Sequence, residues 1–391
     1  MTIDVAHRRA RLALRHRLAS PATTSDELAD NLVGLHSSDP ITPYLAAWAR
    51  RDDFAVGELD DALYARRSLV RMLGMRRTVF VVSRDVATSM QAGCTQSYVA
   101  AERERLAKML EVQEVSKQPK RWLAKVERDA LAALAARGEA TATDLVGDVP
   151  ALGRKLTFGV GKTWENTVSV GARVLYLLAM RGQVLRVRPL GTWVSSQYRW
   201  ARTDDWIDGG LPELDASAAR ADLARRYLHA FGPATEADVK WWTGWTVRDT
   251  RAALAAIEAV EVELDGGDNG AGFVLPDDVG SVEPPDRWVA LLPGLDPTVM
   301  GWTTRGWYLA NHQPELFDSN GNAGCTVWLD GRVVGGWAQR PDGSIAVELV
   351  EPVDRDTGRR ITAETERLAD WLGETRIVGR FRTPMERRLV G

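Results

Sequence analysis

Three stretches of the chain repeat one order of small, polar and apolar positions: SPATTSDEL (20–28), GEATATDL (138–145) and GPATEADV (232–239). Each reads small residue, any residue, Ala-Thr, two further residues, Asp. Thr23, Thr141 and Thr235 therefore precede Asp26, Asp144 and Asp238 by three positions. This is the spacing of a capping box, in which the hydroxyl accepts from the third helical N–H and the acid reaches back to the cap's own N–H. Each stretch predicts a helix start. Apolar residues at helical spacing lead into each one, ending at Arg17-Leu18, Leu134-Ala135 and Tyr227-Leu228, so the recurring unit is helix, short turn, capped helix.

The segments C-terminal to these units are also alike. After the second, a helix over 166–180 precedes alternating residues at 182–188 and 192–200, a hairpin with Gly at its turns. Three helices and a hairpin make the winged-helix variant of helix-turn-helix, whose third helix enters a groove while the wing touches backbone. In the first copy, residues 69–73 and 78–82 flank Gly74-Met75-Arg76-Arg77, a wing with a basic tip. In the third, a helix over 247–257 precedes strands at 260–264 and 273–275, a wing too acidic to hold phosphate. The unequal spacing of the copies indicates divergence rather than a solenoid.

Beyond residue 286 the chain turns strand-rich, at 288–292, 325–329, 333–338 and 345–349, with Asp330-Gly331 and Asp342-Gly343 as tight turns. A helix over 362–371 and the tail RFRTPMERRLVG close the chain. The expected fold is α+β: winged helices at 1–118 (with a long connecting helix), 119–208 and 209–284, then a small antiparallel β-barrel or sheet with the terminal helix at 285–391.

Composition narrows the partner. With 391 residues, 45% hydrophobic and 26% charged, the chain can bury a large core. It contains no run of about 18 apolar residues, and Arg and His interrupt MTIDVAHRRARLALRHRLA, unlike a signal-peptide core. A cytoplasmic, nucleoid-associated protein without a membrane partner is expected. Two distant cysteines, Cys94 and Cys325, make no disulfide framework. The net charge of -3 conceals an uneven distribution. Residues 66–84 hold six arginines and no acid, residues 151–202 hold nine Lys or Arg against Glu165 alone, and residues 258–286 hold nine acids and no base. One surface suited to phosphates and another left to solvent would produce this pattern.

Four stretches carry more specific information: GLHSSDPITPYLAAWAR (34–50), LLPGLDPTVMGW (291–302), NAGCTVWLDGRVVGGWA (322–338) and RTPMERRL (382–389). They resemble the winged-helix DNA-binding family of the AlkZ and YcaQ type. The resemblance runs over nearly the whole chain and implies three tandem winged helices with a β-barrel. It also implies a monofunctional, cofactor-independent DNA glycosylase that excises bulky N7-alkylguanine adducts or unhooks crosslinks, in DNA repair or self-resistance. The implied partner is double-stranded, alkylated DNA, bound by a monomer. Glycosylase members carry Gln-apolar-Gln or Gln-apolar-Asp where this chain reads His36-Ser37-Ser38, so His36 stands for the first Gln and Ser38 for the second polar residue.

The chemistry of that position can be stated from its residues. N7-alkylated guanine is cationic and leaves as a neutral base, so the requirements are an oxocarbenium-like sugar stabilised and one water placed. His36 can orient or deprotonate that water, Ser38 can hydrogen-bond it or a phosphate, and Asp39 can stabilise the positive sugar. The plainer alternative is a turn: Ser37 or Asp39 caps a helix over 41–48, Pro40 takes its first position, and His36 packs.

Phosphate contacts are expected from the wing arginines Arg71, Arg76, Arg77, Arg186 and Arg188, and from Arg154 and Lys162 beside the second recognition helix. Phe158-Gly159-Val160-Gly161-Lys162-Thr163 imitates a phosphate-cradling loop, but Leu156 occupies the position of its required first Gly. His7, His16, His36, His229 and His312 show no metal-ligand spacing with the cysteines, so neither metal nor cofactor is expected. Trp241, Trp242 and Trp245 at helical spacing read as core, and Gln91 and Gln96 as either cleft-facing or solvated. Two other functions fit the same pattern: a non-catalytic DNA-binding regulator or lesion-sequestering protein, and a scaffold whose winged helices bind protein.

Overall fold

The capped helix starts are present, one of them in a shifted register. Thr141 accepts from Asp144 N (3.1 Å) and donates its own N–H to Asp144 Oδ2 (2.9 Å), opening helix Ala142–Asp148. Thr235 and Asp238 repeat this at 3.1 and 3.0 Å for Glu236–Thr243. In the first copy the cap is Thr24, not Thr23. Glu27 N donates to Thr24 Oγ1 (3.0 Å), while Glu27 Oε2 accepts from Thr23 N (2.8 Å), and the helix runs Ser25–Asn31. Glu, one methylene longer than Asp, reaches one residue further back, and the shifted register buries Leu28 and Ala29.

The computed structural model describes residues 1–162, 164–265, 270–379 and 382–391. Its architecture is α+β, in two compact units: 60–220, and 1–59 together with 221–391. In the 60–220 unit, Leu69–Leu73 and Val79–Ser83 form the first hairpin and Val184–Pro189 and Tyr198–Arg202 the second. The two are joined edge to edge, Arg71 opposite Arg186, and Glu139–Ala140 completes the series against Tyr198–Arg202. Helices Gln96–Val112, Pro119–Arg137 and Val170–Met180 pack Leu110, Leu123, Leu134, Val174 and Leu178 into one apolar cluster. At about 1.5–3 kcal/mol per fully buried aliphatic side chain, this cluster is a main source of the unit's stability.

The helix expected over 166–180 begins at Val170, where Ser169 Oγ accepts from Ala172 N (3.2 Å). Asn166–Ser169 is instead a strand paired with Lys155–Phe158, in which β-branched Thr157, Thr167 and Val168 suit the pleated backbone. Thr163 lies outside the described residues.

In the other unit, Val260–Leu264 pairs with Gly270–Val274, a strand placed earlier than the expected 273–275, and residues 266–269 lie outside the described residues. The N-terminal Thr2–Ile3 adds to it in parallel. Val289–Leu292, Thr326–Leu329, Arg332–Gln339 and Ile345–Leu349 form a four-stranded antiparallel sheet in linear order, so the alternative of barrel or sheet resolves to an open sheet. Asp330 and Gly331, both at positive φ, make the expected two-residue turn. The helix expected over 362–371 extends over Arg355–Leu372, because Asp354 caps it through Thr357 N (2.8 Å). Arg380 and Phe381 of the tail lie outside the described residues, and Thr383 with Glu386 caps helix Pro384–Val390. Among the described residues, no helix is long and apolar enough to cross a membrane.

Candidate active site

Leu35-His36-Ser37-Ser38-Asp39-Pro40 links two short helices. After Ser25–Asn31, Val33 and Gly34 take positive φ and reverse the chain, Gly34 N donating to Ala29 O (2.7 Å). Leu35–His36 is extended, and the next helix runs Thr42–Trp48 with Pro43, not Pro40, in its first turn. The connection is enclosed: His36 is 5% exposed, Ser37 1% and Asp39 8%. Asp39 does cap the turn. Its Oδ1 accepts from Ile41 N (3.4 Å) and its carbonyl from Thr42 N (3.3 Å), an Asx turn that occupies one carboxylate oxygen. Ser38 N donates to His36 Nδ1 (3.4 Å), so a neutral imidazole in this arrangement carries its proton on Nε2.

The helix that follows the connection is held at both ends by buried polar contacts. Thr42 Oγ1 donates to the Gly294 carbonyl (2.9 Å). Arg50, just past the far end of the same helix, meets Asp296 with two parallel bonds (2.7 and 2.9 Å) and also donates to Thr298 Oγ1, the His16 carbonyl and the Ala46 carbonyl. Both charged side chains are fully enclosed. The network continues into the next layer: Thr298 Oγ1 lies 2.8 Å from His16 Nδ1, and His16 Nε2 is 3.1 Å from the Ala230 carbonyl. Because a carbonyl only accepts, Nε2 carries the His16 proton and Nδ1 takes the Thr298 hydroxyl. Burial, with Arg50 second, lowers the His16 pKa to about 3, so this ring is neutral in ordinary buffers. A buried ion pair with its hydrogen bonds satisfied holds its elements in one arrangement.

The other two motif stretches close on the same region. Leu295 N donates to the Ala323 carbonyl, and Cys325 N to Glu386 Oε1 (3.0 Å), whose second oxygen accepts from Thr383 N (2.7 Å). A Cβ on Gly324 would stand 2.5 Å from Thr383 Cγ2, so only glycine fits there. Burial pushes the Cys325 thiol well up, and Glu386 adds to it. The four stretches around 34–50, 291–302, 322–338 and 382–389 thus converge. Sequence reasoning missed Arg50, Asp296, Thr298 and His16 as a group; the Asp-Pro-Thr triplet was the available signal.

The expected phosphate contacts lie in the 60–220 unit and divide by exposure. Arg71 is a correction: at 2% exposed it is enclosed, donating to Tyr64 Oη (2.7 Å) and lying over the Tyr198 ring. The edge-to-edge joining of the two hairpins puts this mid-strand position inside. Arg186 is half-buried over Tyr198 and Trp200. Arg76 and Arg77 sit at the first hairpin's tip, and Arg77 pairs with Glu102 (2.6 Å) across Tyr98. Lys162, Arg188 and Arg154 are exposed, Arg188 lying 3.8 Å from Asp60. Gly159 and Gly161 lie between two strands with no helix opening at the loop, which removes the phosphate-loop reading.

Gln91 and Gln96 border a cavity of about 710 Å³ with Arg181, Gln183, Arg202 and Asp204. Gln91 is already committed there, to the Met180 carbonyl and to Gln96 and Thr95. Trp242 and Trp245 are core, and Trp241 lies beneath Arg305. No group of three or more His, Cys, Asp or Glu among the described residues could hold a metal ion.

A sequence model of the family described as DNA glycosylase AlkZ-like matches residues 29–371. Among solved structures, the chain is similar to the Streptomyces sahachiroi DNA glycosylase AlkZ, at a TM-score of 0.72 and 19% identity, over 96% of this chain and 99% of that one. At that identity the likeness is one of fold. No curated protein sequence matches.

Proposed function

The chain belongs to the AlkZ-like DNA glycosylase family, and from that premise we propose that it hydrolyses the N-glycosidic bond of bulky or crosslinking N7-alkylguanine lesions in double-stranded DNA. The observation that carries this reading is the enclosure of Asp39, on one short connection with His36 and Ser38, at the head of a helix clamped by Thr42 and Arg50. In this reading the cationic base departs neutral, and the Asp39 carboxylate stabilises the positive charge developing on the sugar. His36 donates from Nε2 to the oxygen of a water that Ser38 also holds. The water oxygen bonds to the sugar carbon, and its proton passes to Asp39. An enclosed, fixed carboxylate stabilises a developing cation more than one in water, and removal of one such preorganised group typically costs about 100- to 1,000-fold in rate.

We read the α+β fold as three tandem winged-helix units at 1–118, 119–208 and 209–284, with the sheet and helices of 285–391 after them. Arg76, Arg77, Arg154, Lys162, Arg186 and Arg188 are the phosphate contacts of this reading. Arg71 is left out because it is enclosed. The protein acts as a cytoplasmic monomer in repair or self-resistance to genotoxins, without a cofactor.

The test is a duplex carrying one N7-alkylguanine, incubated with protein and then treated with alkali. Strand breaks above spontaneous depurination support the reading, and their absence ends it. The replacement of the family's amide pair by His36 and Ser38 favours one second reading, a lesion-sequestering or regulatory DNA-binding protein. It would give DNA retention with steep salt dependence and no abasic product.

A further inference from the structure

The hairpin of Lys155–Phe158 and Asn166–Ser169 carries a tip of which the proposed glycosylase reaction uses one lysine alone. Two large apolar side chains stand in solvent there: Val160 is 73% exposed and Trp164 65%. Among the described residues, Trp164 is the one tryptophan so placed. Isolated exposed apolar residues are ordinary, but a tryptophan and a valine presented together at the end of a two-stranded arm are not.

The tip is built rather than slack. Lys162 N donates to the Gly159 carbonyl (2.8 Å) and Glu165 N to the Lys162 carbonyl (3.0 Å). Gly161 N donates to Glu165 Oε2 (2.7 Å), which turns the segment's acid inward. Gly159 has φ +63, and a Cβ there would stand 2.4 Å from the Trp164 ring, so the indole edge rests on bare glycine backbone. The base of the arm is fixed as well. Gln113 takes both backbone groups of Thr157 (2.8 and 2.9 Å), Thr157 and Thr167 hydroxyls lie 3.1 Å apart, and Arg173 covers Phe158.

Charge identifies the occupant. Arg154, Lys155 and Lys162 are exposed along the arm that carries the apolar tip, with Glu165 already engaged. Basic side chains bracketing an exposed aromatic ring suit a phosphate backbone with bases stacked between its strands. A protein partner's apolar surface would not call for the lysines. Apolar and aromatic wedges of this kind enter base steps and partly unstack them.

We propose that this hairpin is a wedge for duplex DNA, in which Trp164 enters the base stack and stacks on a base while Arg154, Lys155 and Lys162 hold the adjoining phosphates. The inference rests on the DNA-acting function proposed above. It assigns Trp164 a role in opening the substrate, not in the bond-breaking step.

The test is photocrosslinking of the full chain to a duplex with 5-iodouracil at successive positions around an abasic-site analogue, with binding measured in parallel by fluorescence anisotropy. A stacked tryptophan is the expected crosslinking partner, and peptide mapping should return Trp164 at one or two adjacent positions. Trp164→Ala should remove the crosslink and weaken binding about 5- to 150-fold, the range for one base–aromatic stack. Trp164→Phe should keep most of the affinity, and Gly159→Ala should mimic Trp164→Ala by displacing the ring. Tight binding with no crosslink at Trp164, or a Trp164→Ala variant that binds as well as the parent, would overturn the wedge while leaving a DNA-acting protein. A parent protein that fails to bind the duplex at low salt would overturn both.

Discussion

Stability should depend on pH through His16, in a window where carboxylates are still ionised. The ring is enclosed, neutral and hydrogen-bonded at both nitrogens, and its pKa of about 3 lies well below that of an unfolded histidine, about 6.5. Protonation is therefore open to the unfolded chain below about pH 6.5 and closed to the folded one until about pH 3. The unfolded state binds more protons across that interval, so stability is fully present above it and falls as pH is lowered through it. The slope approaches about 1.4 kcal/mol per pH unit, and the loss between pH 7 and pH 5 is about 2 kcal/mol. Urea unfolding at pH 7, 6 and 5, on the parent and on His16→Gln, measures this. The amide can still donate to the Ala230 carbonyl and accept from Thr298, and it does not titrate. The parent should lose about 2 kcal/mol that the variant does not. Equal losses in the two proteins would refute a buried neutral His16.

Other outcomes rest on the same contacts. Arg50→Met leaves the Asp296 carboxylate buried without its partner and should cost about 3–5 kcal/mol in urea unfolding, whereas Arg50→Met combined with Asp296→Leu should recover much of it. Gly324→Ala, which drives a methyl into Thr383 and the Glu386 carboxylate, should lower stability by about 1–3 kcal/mol in thermal unfolding. Lys162→Ala should weaken DNA binding for all sequences and reduce the salt slope by about one unit, read from affinities across a salt series. Arg71→Ala should instead lower the urea midpoint, because its guanidinium is packed between Tyr64 and Tyr198.

Much of the fold was legible where the signal is local. A Thr and an acid three residues apart place a helix start without help from the rest of the chain, and Thr141 and Thr235 behave so. Thr23 and Thr24 compete, as do Asp26 and Glu27, and the choice falls to which register buries Leu28. Contacts between distant stretches were not legible. Nothing near residue 71 announces that Arg186 will pair across from it, so a mid-strand arginine reads as solvated until Tyr64 and Tyr198 arrive. The parallel addition of Thr2–Ile3 to Val260–Leu264 has the same character. At the candidate site, the titratable residues of LHSSDP could be named from sequence, but their enclosure could not. The helix that follows is held by Gly294, Asp296 and Thr298, more than 240 residues further along the chain.

The chemistry of Asp39 is tested most directly by single-turnover cleavage of a duplex carrying one N7-alkylguanine, read as alkali-labile breaks, on the parent and on Asp39→Ala, with thermal unfolding of both. The parent should cleave well above spontaneous depurination, and Asp39→Ala should be slower by about 100- to 1,000-fold with its fold retained. A folded Asp39→Ala protein that cleaves at the parental rate would move the reaction away from Asp39.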